Sequence, residues 1–195
     1  MEPRQSRREL VGLILAAGAG TRYGRPKILV PGWLDGAVRA LRDGGCAKVL
    51  VVTGAARTVM PDGAVEIHCP TWERGIGASL RSGLTAVGAG ADRVVVHVVD
   101  CPDVGASVVE RVVRSGAGGP VRAVFDGRPG HPVVLPIQCV PELLAQLRDA
   151  DGAGPYLSGR ADVQLVECGD LATGQDKDFA DGPLTVRSTA VQRGE

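Results

Sequence analysis

The sequence predicts a three-layer α/β domain, a mainly parallel sheet with helices on both faces. Three observations carry that prediction. Short, near-continuous aliphatic runs recur along the chain, segments with helical spacing separate them, and glycine-rich turns mark the joins. A chain of 195 residues with 44% hydrophobic content can bury one sizeable core, which favours a single domain. That domain is expected over residues 9–180. Residues 1–8 and 181–195 read as loose termini, because the chain after Asp181 turns polar and loses periodicity.

The elements follow in order. Leu10–Ala16 is almost wholly aliphatic, as befits a strand covered on both faces. Asp35 is placed to cap a helix carrying Ala37, Val38 and Leu41, which Gly44-Gly45 would end. Lys48–Thr53 is a second buried strand and Val65–His68 a shorter one. Ile76–Val87 reads as a helix, with Ile76, Leu80, Leu84 and Val87 at helical spacing. Arg93–Val99 is the cleanest strand; its His97 alternates with aliphatics and reads as a hydrogen-bonded core residue. Ser107 is expected to cap a helix over Val108–Arg114, followed by a strand at Val121–Phe125. His131–Leu135 is extended, Pro141–Ala150 a helix with Pro in its first turn, and Val163–Cys168 the last strand.

Composition narrows the function classes. Formal net charge is zero, so no basic excess points to nucleic acid. No apolar run approaches the roughly 20 residues of a membrane span. Five cysteines at 46, 69, 101, 139 and 168 make an odd count with no Cys-x-x-Cys pair, which argues against a disulfide framework or a zinc site. Ser6-Arg7-Arg8 before an apolar stretch superficially looks like a twin-arginine export signal. Its apolar core is short, and cleavage would cut the loop described next, so a cytoplasmic location is expected.

That loop is the most informative stretch of the chain. Leu15 to Lys27 reads Leu-Ala-Ala-Gly-Ala-Gly-Thr-Arg-Tyr-Gly-Arg-Pro-Lys. Glycines let a backbone approach a ligand and turn its N–H groups toward one point. Arg22 and Lys27 bring cations that neutralise phosphate oxygens. Only three of the 22 basic residues are lysines, so a lysine in this loop is notable. The stretch lacks the Walker run, and Gly24 falls four residues after Gly20, one too many for the dinucleotide fingerprint.

It does fill every fixed position of Leu-Ala-x-Gly-x-Gly-x-Arg-x-Gly-x-x-Lys, and so resembles the signature of the MobA-like nucleotidyltransferases. The Ala-Ala-Gly form, with Ala17, is similar to the branch that makes the cytosine dinucleotide of the molybdenum cofactor. The resemblance runs from Leu10 to roughly Asp176 and implies a Rossmann-like nucleotidyltransferase fold. It implies that Leu15, Ala16, Ala17, Gly18, Gly20, Arg22 and Lys27 bind the nucleotide, with Arg22 and Lys27 also catalytic. Val98-Val99-Asp100-Cys101-Pro102 resembles the family's Leu-x-Asp-x-Pro motif, which makes Asp100 a catalytic residue and the ligand of Mg2+. Gly75, Gly77 and Ser79 match a family segment near base and ribose. His131, in Gly-His-Pro, matches a turn near the acceptor.

The implied reaction transfers a nucleoside monophosphate from an NTP, CTP favoured, to the phosphate of molybdopterin, releasing pyrophosphate. A molybdoenzyme would be the product's further partner. A GTP-using or sugar- or alcohol-phosphate transferase of the same fold, and a non-catalytic carrier of nucleotide or cofactor, are the alternatives. The carrier reading draws on one departure. Asp170-Leu171-Ala172-Thr173-Gly174-Gln175-Asp176 stands where the family has a segment like Asp-Ile-Asp-Thr-Pro-Glu-Asp, and this matching puts Ala172 at a carboxylate expected to complete the metal site. Asp170 or Asp176 would then have to replace it, or water would.

Overall fold

The computed structural model describes residues 9–178, apart from 89 and 117. The expected loose termini therefore lie outside the described residues. Seven strands form one sheet in the order β3-β2-β1-β4-β6-β5-β7. They are β1 (Leu10–Leu15), β2 (Lys48–Thr53), β3 (Ala64–His68), β4 (Arg93–Val98), β5 (Val121–Phe125), β6 (Arg128–Pro136) and β7 (Gln164–Glu167). All neighbours pair in parallel except β6, which runs against both β4 and β5.

The helices are α1 (Trp33–Asp43), α2 (Ile76–Ala86), α3 (Ala106–Ser115), α4 (Val140–Gln146) and α5 (Gly154–Ser158). Two adjacent residues of β1 show how they cover the sheet. A Cβ on Gly12 would lie 2.8 Å from Leu41 of α1, whereas Leu13 lies 2.5 Å from where a Cβ on Gly83 of α2 would be. Successive strand residues face opposite ways, so α1 and α2 sit on opposite faces. The end of α1 packs against α3, where a Cβ on Gly44 would collide with Val109. With both faces covered, the central strands have no need of alternating polarity. Residues 49–53 of β2 and 94–98 of β4 are all buried.

Several helix boundaries differ from the sequence reading. Asp35 and Ser107 cap nothing: Gly32 (φ 79°) precedes α1 and the extended Gly105 precedes α3. The helix expected over residues 141–150 stops at Gln146. Arg81 of α2 reaches across to donate to the carbonyls of Leu144 and Leu147 at 2.8 and 2.5 Å. The chain beyond then packs against α2 instead of continuing the helix. The single turn α5, begun by Gly154-Pro155, is an addition to the elements expected from sequence. His97 is a core residue as expected, yet neither ring nitrogen finds a hydrogen-bond partner among the described residues.

Candidate active site

The carboxyl ends of β1 and β4 meet at one rim of the sheet, and the glycine loop springs from it. The loop's start is tied to both neighbouring strands. Ala16 donates to the Val52 carbonyl at 3.0 Å, Val99 to that of Leu15 at 3.2 Å, and Ala55 to that of Ala17 at 2.9 Å. Gly20 has φ 62°, and a Cβ there would collide with the Arg25 carbonyl oxygen, so the turn admits only glycine. Gly18 differs: a Cβ would meet nothing, which leaves its backbone open to a ligand. Tyr23 leans on Trp33 with ring centroids 5.3 Å apart, holding the loop's outer edge to α1. A 3₁₀ turn over Lys27–Leu29 buries Ile28 and turns Lys27 inward.

The result is a pocket of about 410 Å3. Leu15, Ala16, Ala17, Gly18, Gly20, Arg22, Lys27, Gly75, Ser79 and Asp100 all line it. Two expected site residues do not. Gly77 donates its N–H to the Asp149 carbonyl, and a Cβ there would collide with the Arg148 carbonyl oxygen. Its role in the fold is close packing of α2 on residues 148–151. His131 lines a smaller adjoining cavity. Nor does it stand in a turn, since Gly130-His131-Pro132 belongs to β6.

Trp72 and Glu73 form part of the opposite wall, with Trp72 seated so closely on Gly54 that a Cβ on that glycine would collide with it. Sequence reasoning also missed Asp178, and weighed Asp176 only as a substitute. Both line the pocket. Ala172 does not line it: it packs against the core, while Asp170 pairs with Arg111 well apart. The acidic pair at the pocket is Asp176-x-Asp178, and that alternation was the available signal.

Four of the charges lining the pocket pair with one another. The Lys27 ammonium donates to Asp100 Oδ2 at 2.8 Å and to Asp178 Oδ1 at 3.2 Å, and Arg22 pairs with Asp178 at 2.9 Å. Burial works against the Lys27 charge, but the two carboxylates outweigh it and hold the ammonium above its ordinary range. Asp100, Cys101 and Asp176 bring one ligand atom each to within 4.8 Å of one another. Cys101 Sγ donates to Asp176 Oδ1 at 3.0 Å. Burial first, then the neighbouring acids, push that thiol well up, so it stays protonated. The oxygen donors suit a hard divalent cation; the thiol does not. The Lys27 ammonium is lodged between Asp100 and Asp178, two of the carboxylates on the pocket wall.

The C-terminal segment reaches the pocket along a fixed path. Thr173 donates through N and Oγ1 to Asp103 Oδ2 at 2.7 and 2.6 Å, and Lys177 N donates to the Asp100 carbonyl at 2.9 Å. Asp176 and Asp178 are therefore delivered by a strap over the rim.

Residues 12–164 match the model of the MobA-like NTP transferase domain. The chain belongs to this family. It is 30% identical over 188 residues to nicotine blue oxidoreductase of Paenarthrobacter nicotinovorans, covering 87% of this chain and 92% of that protein. Rv0371c of Mycobacterium tuberculosis H37Rv superposes with a TM-score of 0.70 at 25% identity, covering 83% of this chain and 88% of that one. Rv0371c has also been solved in complex with manganese. The 2-C-methyl-D-erythritol 4-phosphate cytidylyltransferase of Thermus thermophilus superposes with a TM-score of 0.62 at 24% identity, covering 87% and 92%, a likeness of fold. Among the described residues, no helix is long and apolar enough to cross a membrane.

Proposed function

We propose that this family member is a divalent-cation-dependent nucleotidyltransferase that moves a nucleoside monophosphate, CMP from CTP by preference, onto the phosphate of a molybdopterin-type acceptor. One observation carries the reading: Lys27 bridges Asp100 and Asp178 on the wall of a pocket built around an open glycine backbone. The two cations and two carboxylates are neutral as a set. A nucleotide triphosphate would be met there by Lys27 and Arg22, and a divalent cation would be held by the carboxylates.

Asp100 and Asp178 would hold the cation, Mg2+ in this reading, with Asp176 beside them. Bound there, it neutralises phosphate charge. The manganese complex of Rv0371c is consistent with such a site. The loop's N–H groups around Gly18 and Gly20, with Arg22 and Lys27, orient the triphosphate and stabilise charge on the leaving pyrophosphate. An oxygen of the acceptor phosphate attacks the α-phosphorus, and the α–β bridging bond breaks. That oxygen is already ionised, so no general base is required. The Ala17 backbone and the wall at Gly75 and Ser79 suit a compact base. His131 belongs to the acceptor side. Five free, buried cysteines agree with a reducing cytoplasm, and a molybdoenzyme would receive the product.

The deciding assay measures pyrophosphate release from each NTP with Mg2+ or Mn2+ and a molybdopterin source. Release with CTP but not GTP supports the full reading, release with GTP removes the cytidylyl assignment, and none with any NTP removes the transferase. A second reading, oxidation–reduction chemistry, draws on the name of the 30% identical relative. Redox turnover of a dye substrate with no pyrophosphate release from any NTP would favour it instead.

A further inference from the structure

Beside the phosphate pocket lies a second cavity of about 100 Å3 that shares Leu15 and Ile76 with it. Its lining is otherwise mostly aliphatic, and its charged and titratable members are Arg122 and His131. Arg122 is unusual for its position. It occupies β5, a strand that reads Val-Arg-Ala-Val-Phe and lies inside the sheet between β6 and β7. The β5–β6 register slips between Arg122 and Val124, an irregularity of the kind that re-aims a side chain. The Arg122 Nε donates to the Gly130 carbonyl at 3.2 Å, and no carboxylate among the described residues pairs with the guanidinium. Among the described residues, His131 Nδ1 is buried with no hydrogen-bond partner. Charges and polar atoms taken out of water are ordinarily paired, because leaving them alone costs stability.

We propose that this cavity binds a compact oxyanion, a phosphate or carboxylate group at one end of the acceptor, with Arg122 as its counter-charge and His131 as its hydrogen-bond partner. The acceptor role rests on the transferase reading above; the anion site does not. Size limits what enters. A cavity of about 150 Å3 just accepts benzene, so this one takes a terminal group while the body of the acceptor stays in the larger pocket. Register explains the adjacency. Val96 pairs with Val133, so His131 lies opposite Val98 at the carboxyl end of β4, two residues before Asp100.

The chain has three histidines, which makes ring 15N spectra a direct test. Protein labelled on histidine is titrated with inorganic phosphate and, separately, with acetate; His131→Gln assigns the signals. The His131 ring signals should shift with at least one anion while those of His97 hold, and the tighter anion names the group. Arg122→Gln should need at least tenfold more anion, Arg122→Lys should retain most of the response, and Lys27→Ala should leave it intact. An unmoved His131 overturns the proposal. So does an equal response in Arg122→Gln, or a response lost in Lys27→Ala, which would put the anion in the phosphate pocket. Titrating the same sample with CTP and Mn2+, read by Trp fluorescence, separates the two ideas. Nucleotide binding with a silent His131 sinks this site alone. A responsive His131 without nucleotide binding keeps the anion site and removes its place in transfer.

Discussion

Lys27→Ala removes an ammonium that touches both Asp100 and Asp178. Turnover should fall by about 10²–10³, as when a preorganised electrostatic donor is lost, and near wild-type kcat would sink the assignment. The carboxylates give a paired comparison. Asp178→Asn should weaken Mn2+-dependent nucleotide binding at least tenfold by calorimetry, whereas Ala172→Asp, placed against the core and away from the pocket, should leave it unchanged. The glycine loop was legible from sequence because its chemistry is local: glycine turns and cations lie within 13 residues of one another. Asp178 was not, since matching by motif order put the expected carboxylate at Ala172, and only the strap's path shows which acids reach the pocket. His97 offers a residue-scale test of stability. Burial, above all, drops its pKa to about 3, against about 6.5 for a free imidazole. Between those values the unfolded chain binds a proton that the folded chain refuses, so stability falls as pH is lowered from 6.5 toward 3. His97→Leu should flatten that limb in urea titrations and stabilise the fold by on the order of 1 kcal/mol at neutral pH.

At the scale of elements, the sequence reads the strands closely and the helix caps poorly. Lys48–Thr53 and Val121–Phe125 stand as expected, because a strand buried on both faces declares itself as an aliphatic run. The starts of α1 and α3 use backbone conformation at Gly32 and Gly105 in place of a capping side chain, so Asp35 and Ser107 misled. The end of α4 is set by Arg81 from a different helix, 63 residues away in sequence from Leu144, which no local pattern encodes. Gly77 belongs to the same long-range packing. Gly77→Ala would drive a methyl into the Arg148 and Asp151 carbonyls, with nothing flexible to give way. It should cost about 1–3 kcal/mol of stability, with nucleotide affinity per folded molecule nearly intact. A variant that melts normally yet fails to bind CTP would restore Gly77 to the binding site.

Across the whole molecule, the strap joins distant parts of the chain into one rim. Asp103, after β4, holds Thr173, and Lys177 is held in turn by the Asp100 carbonyl. Asp103→Ala should therefore raise the Kd for metal-nucleotide severalfold without touching the ligand. Because Asp103 is exposed, the melting temperature should fall by no more than a few degrees. Loss of binding only in proportion to lost folding would argue that the strap is structural. Matching residues 12–164 to a family captured the layers of the domain, but the strap lies beyond that span.

The reversed direction of β6 bears on how such a domain diversifies. An antiparallel strand delivers its beginning, Gly130 and His131, to the rim where β1 and β4 end. Leu15 and Ile76 serve both cavities, yet Gly18, Gly20, Arg22 and Lys27 line only the larger and Arg122, His131, Val133 and Leu135 only the smaller. Mutation can rework the lining of the smaller cavity while the glycine loop stays untouched. A scaffold arranged in this way can change what one cavity accepts while the lining particular to the other is kept.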